Sequence, residues 1–114
     1  MSDSIKELQK MILDFRDARN WKQFHNPKDL AISISLEATE LLEVFQWSGE
    51  DLTVSNKQEK IREELADVLI YSMLMAESCG LDVGQIIEQK LAVNDKKYPV
   101  EKAYDNSAKY TELK

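Results

Sequence analysis

Very little in this chain would let it turn sharply or often. Its 114 residues include only three glycines and two prolines. An all-β domain needs a turn roughly every 8–12 residues, so this scarcity disfavours sheets and leaves long helices. With a single cysteine, Cys79, no intrachain disulfide is possible, which suits a reducing compartment. Cys79 lies beside Met75 and Ala76 and is expected to pack rather than to react. Long hydrophobic runs are missing too. The longest, Val68 to Ala76, contains a serine and is too short to cross a bilayer. Met1-Ser2-Asp3-Ser4 lacks the basic start and apolar stretch of a secretion signal, so the cytoplasm is the expected location, with no membrane partner. Basic residues are outnumbered, with 15 Lys and Arg against 21 Asp and Glu. A net charge of −6 and the absence of a basic stripe argue against a nucleic-acid partner, including an antitoxin-like role.

What is present reads as four amphipathic helices. Ser4 with Glu7 forms a capping-box pattern ahead of Ile5, Leu8, Met11, Ile12 and Phe15, and that helix is expected to end near Asn20. After the connector Trp21-Lys22-Gln23-Phe24-His25, Asn26 is an N-cap with Pro27 at the first helical position. This second helix runs through Leu30, Ile34, Leu41 and Phe45 to about Trp47, where Ser48-Gly49-Glu50-Asp51 stops it. Ser55 with Gln58 predicts a capped third helix from about Asn56 to Cys79, closed by Gly80. Asp82 with Gln85 opens a fourth, which Pro99 ends. The expected architecture is an all-α four-helix bundle over residues 1–100 with a polar tail, 101–114, loosely ordered or draped over a partner subunit. Between Val68 and Ala76 the third helix is apolar nearly all round, so the bundle is expected to be completed by oligomerisation.

Four acids break the amphipathic pattern. Glu37 sits three residues after Ile34 and four before Leu41, and Glu40 sits four from both Leu36 and Val44. On the third helix, Glu64 is three after Ile61 and four before Val68, and Asp67 is four before Tyr71. Residues three or four apart share a helix face, so each helix carries two acids, one turn apart, along its apolar stripe. Converging buried carboxylates repel one another and need a cation. The flanking Ile, Leu, Val and Tyr offer none, whereas a hard divalent ion with oxygen ligands would serve, Mg²⁺ first and Mn²⁺ second. No Cys or His stands among these positions, which opposes zinc or copper. A di-iron bundle would need Glu-x-x-His pairs, and His25 belongs to none. The competing reading is a non-enzymatic helical interaction module, in which the acids are exposed and indifferent to metal.

Glu37-Ala-Thr-Glu40 followed by Glu64-Leu-Ala-Asp67 resembles the signature of the all-α nucleotide pyrophosphohydrolases of the MazG type. Phe45-Gln46-Trp47, the run from Glu63 to Tyr71, Lys97-Tyr98-Pro99 and the run from Trp21 to Pro27 resemble the branch that contains the dCTP pyrophosphatases. The likeness spans roughly residues 5–100. It implies a homodimer or tetramer, Mg²⁺ at Glu37, Glu40, Glu64 and Asp67, and cleavage of a nucleoside triphosphate to the monophosphate and pyrophosphate. Glu37 or Glu40 would then act on the attacking water.

A triphosphate needs cations. Lys90, Asn94 and Lys97 fall at i, i+4 and i+7 on one face of the fourth helix and, with Tyr98, make a candidate phosphate clamp in which Lys96 could replace Lys97. For the base, Trp21, His25 and Trp47 lie at helix ends where loops gather, offering stacking faces and an edge hydrogen bond. Phe24 is expected to pack in the core. A pyrimidine nucleotide such as dCTP or a modified dCTP is the substrate this branch implies.

Overall fold

The computed structural model describes residues 4–113. The N-terminal reading over Met1–Asp3 and the last tail residue, Lys114, lie outside them. Among the described residues all regular structure is helical, as the scarcity of turn residues predicts. The chain forms two compact units, one up to Leu81 and one from Asp82 onward.

In the first unit, α1 (Ile5–Ala18), α2 (Pro27–Glu43) and α3 (Gln58–Ser78) pack together, with α2 laid along α3 and α1 also against α3. The caps explain the starts. Ser4 Oγ accepts the Glu7 amide at 3.0 Å and Asn26 Oδ1 accepts that of Asp29 at 2.9 Å, each satisfying a first-turn N–H that has no helical partner. Asn20, in the left-handed region, turns the chain into a short 3₁₀ segment, Trp21–Phe24, that leads to α2.

Two boundaries differ from the sequence reading. Helix α2 ends at Glu43 rather than near Trp47, because the N–H groups of Val44, Phe45 and Gln46 bond three residues back. These tighter turns replace the α-helical pattern at the C-terminus. Ser55 does not cap α3. It begins a 3₁₀ turn, Ser55–Lys57, and α3 starts behind Lys57 with no side-chain cap; the loop before it is held instead by Asp51, whose carboxylate accepts the amides of Thr53 and Val54 at 3.2 and 3.0 Å. That grip holds Val54 at φ 39°, unfavourable for a β-branched residue, while its side chain is buried.

Helix α3 closes as expected. Gly80, at φ 67°, donates to Glu77 O, and Leu81 donates to Ala76 O at 2.8 Å, the paired bonds of a Schellman cap. Cys79 just before it is exposed, with Sγ 3.8 Å from Met75 Sδ, so the expectation that it packs inside is corrected. Cys79 is the C-cap residue, just past the last helical turn of α3, where the chain turns away.

In the second unit, Asp82 caps α4 (Val83–Lys97) by accepting the Gln85 amide at 2.9 Å, and Pro99 ends it. The tail is more structured than expected, with a single helical turn, α5 (Val100–Ala103), and a 3₁₀ turn at Tyr110–Glu112. The Tyr110 ring packs edge-on against Tyr98, centroids 6.0 Å apart.

The fully buried apolar residues are few: Leu30, Val44, Val54, Leu74 and Ala76 among the described residues, with Leu30 only 1% exposed. Leu30→Ala should therefore lower unfolding free energy by about 2–5 kcal/mol through lost burial and the cavity left behind. Gly80→Ala meets nothing within 4 Å, so it should cost only the left-handed conformation, about 1 kcal/mol. Urea denaturation of both variants would separate the two effects.

Candidate active site

Helices α2 and α3 bring together Glu37 and Glu40, one turn apart on the first, and Glu64 on the second. A carboxylate oxygen from each lies within 4.8 Å of the other two. Burial is graded across the trio. Glu64 is 5% exposed, Glu37 is half-buried, and Glu40 is exposed where the cluster opens to solvent. Glu64 Oε1 accepts a hydrogen bond from Lys60 Nζ at 2.8 Å, one helical turn back. The second oxygens of Glu64 and Glu37 are buried, and neither has a protein donor while the three acids are ionised. Asp67 lies one turn beyond Glu64 on α3, half-buried, and is not among the three whose oxygens meet.

The electrostatics follow from this crowding. Hydrogen bonding to Glu37 and then to Glu64, reinforced by their charges, pushes the Glu40 carboxyl up to about 7. Glu64 moves the opposite way, below the usual carboxylate range, because Lys60 pairs with it. Burial, followed by the charges of Glu37, Asp67 and Glu40, raises the Tyr71 phenol, which therefore remains a neutral hydroxyl beside the acids. Two buried carboxylate oxygens without donors and a third acid with a raised pKa describe a site with less positive charge than its acids call for, Lys60 being paired with one oxygen of Glu64. All donors are hard oxygens, so the residues present fit a divalent cation such as Mg²⁺ or Mn²⁺.

The trio opens onto a cleft of about 560 Å³ lined by Glu40, Glu43, Val44, Lys57, Lys60 and Glu64. The sequence reading did not assign Lys57, Lys60 or Tyr71. The signal for Lys60 is its place four residues before Glu64, and that for Tyr71 is its place four after Asp67.

The residues expected at the base have mixed environments. His25 is half-buried at the end of the 3₁₀ segment. Its Nδ1 is buried without a partner, and burial followed by the charge of Arg16 lowers its pKa. Arg16 is itself buried and bonds Asp17 through Nε at 2.8 Å. Trp21 meets Phe15 edge-on at 5.8 Å, and the Arg19 guanidinium lies 3.7 Å over the Phe15 ring. Trp47 is 87% exposed just beyond α2. Phe24, expected in the core, is exposed, because the 3₁₀ segment carries it away from α2 and α3. On α4, Lys90 and Lys96 are exposed, whereas Asn94, Lys97 and Tyr98 are half-buried; Lys97 Nζ lies 4.8 Å from the Tyr110 ring centroid.

Fold and site together define an all-α protein with a carboxylate centre shared between two helices, poised for a divalent cation. Comparison with known proteins narrows the class. The sequence profile of the MazG-like family matches residues 32–113. Human dCTP pyrophosphatase 1 is 33% identical over 96% of this chain and 68% of its own length, and the mouse protein is 32% identical over the same shares. The crystal structure of a pyrophosphatase from Archaeoglobus fulgidus superposes with a TM-score of 0.78 at 36% identity, covering 87% of this chain and 95% of that one. The chain belongs to the MazG-like family and is, in class, a nucleotide pyrophosphohydrolase.

Without metal, stability should fall as pH rises from about 4.5 to about 7. The unfolded chain releases the Glu40 proton near 4.5 and the folded chain only near 7, so the folded state binds more protons across that window. Thermal denaturation in EDTA at pH 5, 6 and 7.5 would show it. Glu40→Gln should flatten the slope. Comparing the two separates the effect from His25, whose lowered pKa acts in the opposite direction below about 6.5.

Proposed function

We propose that the protein is a Mg²⁺-dependent pyrophosphohydrolase that converts a nucleoside triphosphate, with a pyrimidine dNTP such as dCTP or a modified dCTP as the first candidate, to the monophosphate and pyrophosphate. The observation that carries this is the meeting of Glu37, Glu40 and Glu64 with two donorless buried oxygens. The pyrimidine preference rests on the kinship with the dCTP pyrophosphatases. Nucleotide-pool cleaning in the cytoplasm is the role this substrate suits.

Glu37, Glu40 and Glu64, joined by Asp67 from the next turn of α3, would hold the cation. When bound, Mg²⁺ supplies charge neutralisation for phosphate oxygens that the acids would otherwise repel. Glu40 is the exposed member of the trio and lines the cleft, so it can also reach a water there and accept its proton. Glu64 and Glu37, held between the helices, keep the cluster rigid. Lys90, Asn94, Lys97 and Tyr98 are the reading for the phosphate tail, and Trp21, His25 and Trp47 for the base. The unpartnered Nδ1 of His25 is an available edge contact.

The same proposal includes a homodimer or tetramer. Met11 and Phe15 on α1, Leu36 on α2, and Leu65 and Leu69 on α3 are all exposed in the isolated chain. Exposed apolar side chains on three helices are what a bundle completed between subunits would bury.

Pyrophosphate release from a panel of canonical and modified NTPs and dNTPs, with Mg²⁺ or EDTA, tests the reading. Release should require metal, favour a pyrimidine deoxynucleotide, and fall by roughly 10²–10⁴-fold in Glu40→Ala. No release from any nucleotide by well-folded wild type would instead support an interaction module.

A further inference from the structure

Two lysines share the cleft with the acids. Lys57 is the N-cap residue of α3, and Lys60 is on its first turn. Cations at that end oppose the helix dipole, and Lys57 makes no side-chain capping bond, so the dipole favours neither, and the one helical contact of the two is that of Lys60 with Glu64. Lys60 is held by Glu64 at 2.8 Å, yet its side chain is 58% exposed, while that of Glu64 is 6% exposed. The bond therefore joins a fixed buried carboxylate to an ammonium on a flexible stem that reaches it from the solvent side. Lys60 is the cation nearest the cluster, and it occupies one of the oxygens that a divalent ion would require.

We propose that Lys60 is an exchangeable counter-ion. It neutralises Glu64 while the cation site is empty and, once a divalent cation takes that carboxylate, turns to the polyphosphate in the cleft, where Lys57 joins it. This rests on the pyrophosphohydrolase reading and places a phosphate-binding group on α3 itself. The exchange follows from charge. A divalent cation at Glu64 removes the attraction that holds the ammonium, and a polyphosphate entering a cleft that also contains Glu40 and Glu43 requires positive charge on its open side. Lys60 is thus a positioning residue, with opposite effects on its two ligands: it competes with the metal and recruits the phosphate.

The test measures both ligands separately from turnover. Binding of Mn²⁺ alone, followed by electron paramagnetic resonance, and binding of inorganic pyrophosphate with Mn²⁺ saturating, followed by calorimetry, are compared in wild type, Lys60→Gln and Lys60→Arg. Lys60→Gln should bind Mn²⁺ tighter and pyrophosphate weaker, each by roughly five-fold, the scale of one exposed ion pair. Lys60→Arg should restore pyrophosphate binding. Thermal denaturation verifies that the variants are folded, as expected for an exposed side chain. Mn²⁺ affinity unchanged in Lys60→Gln, or pyrophosphate affinity unchanged, overturns the proposal. If wild type hydrolyses nucleotides with metal, such a result removes only the role of Lys60; if wild type shows no metal-dependent hydrolysis, the function reading itself fails.

Discussion

Like-charge repulsion between α2 and α3 is the constraint to which the rest of the site answers. The two helices form the main packing interface of the first unit, and three glutamates meet along it. Apolar contact between the helices offsets the cost of bringing the acids together, and Leu30 and Leu74 lie among the few fully buried side chains. The remaining charge is handled locally: Lys60 neutralises Glu64, and Glu40 keeps a proton to near neutrality. Such a site is less stable empty than filled, which is the property a cation-dependent centre requires.

The graded burial of the trio divides its roles. An acid fixed between helices has one geometry and can define a coordination position, whereas an acid at the mouth can face both the interior and the cleft. Glu64 is the first kind and Glu40 the second. Tyr71 adds a hydroxyl whose ionisation is disfavoured first by burial and then by the neighbouring negative charge. The cleft beside them is lined by the acids Glu40, Glu43 and Glu64 together with Lys57 and Lys60, so both signs of charge meet in it.

The small core and the apolar side chains left uncovered on α1, α2 and α3 have one physical origin. Within the first unit only α1 and α2 pack on α3, and two helices cannot enclose a third that is apolar around most of its circumference. The exposed Leu65 and Leu69 of α3 are the direct consequence.

Periodicity, caps and composition determined the all-α class, the starts of α1, α2 and α4, the Gly80 stop, and the placement of acids along the apolar stripes of α2 and α3. These are local properties: a cap or a three-residue spacing acts within one turn, so a single segment of sequence carries it. The early end of α2 in tighter turns, the uncapped start of α3 behind a 3₁₀ turn, and the exposure of Phe24 and Cys79 were decided only by the folded chain, since none of them follows from a local spacing or a capping pattern. The cleft was decided there too. Lys60 and Glu64 are neighbours on one helix and could be paired by spacing, but that Glu40, from another helix, shares their cleft follows only from the packing of α2 on α3.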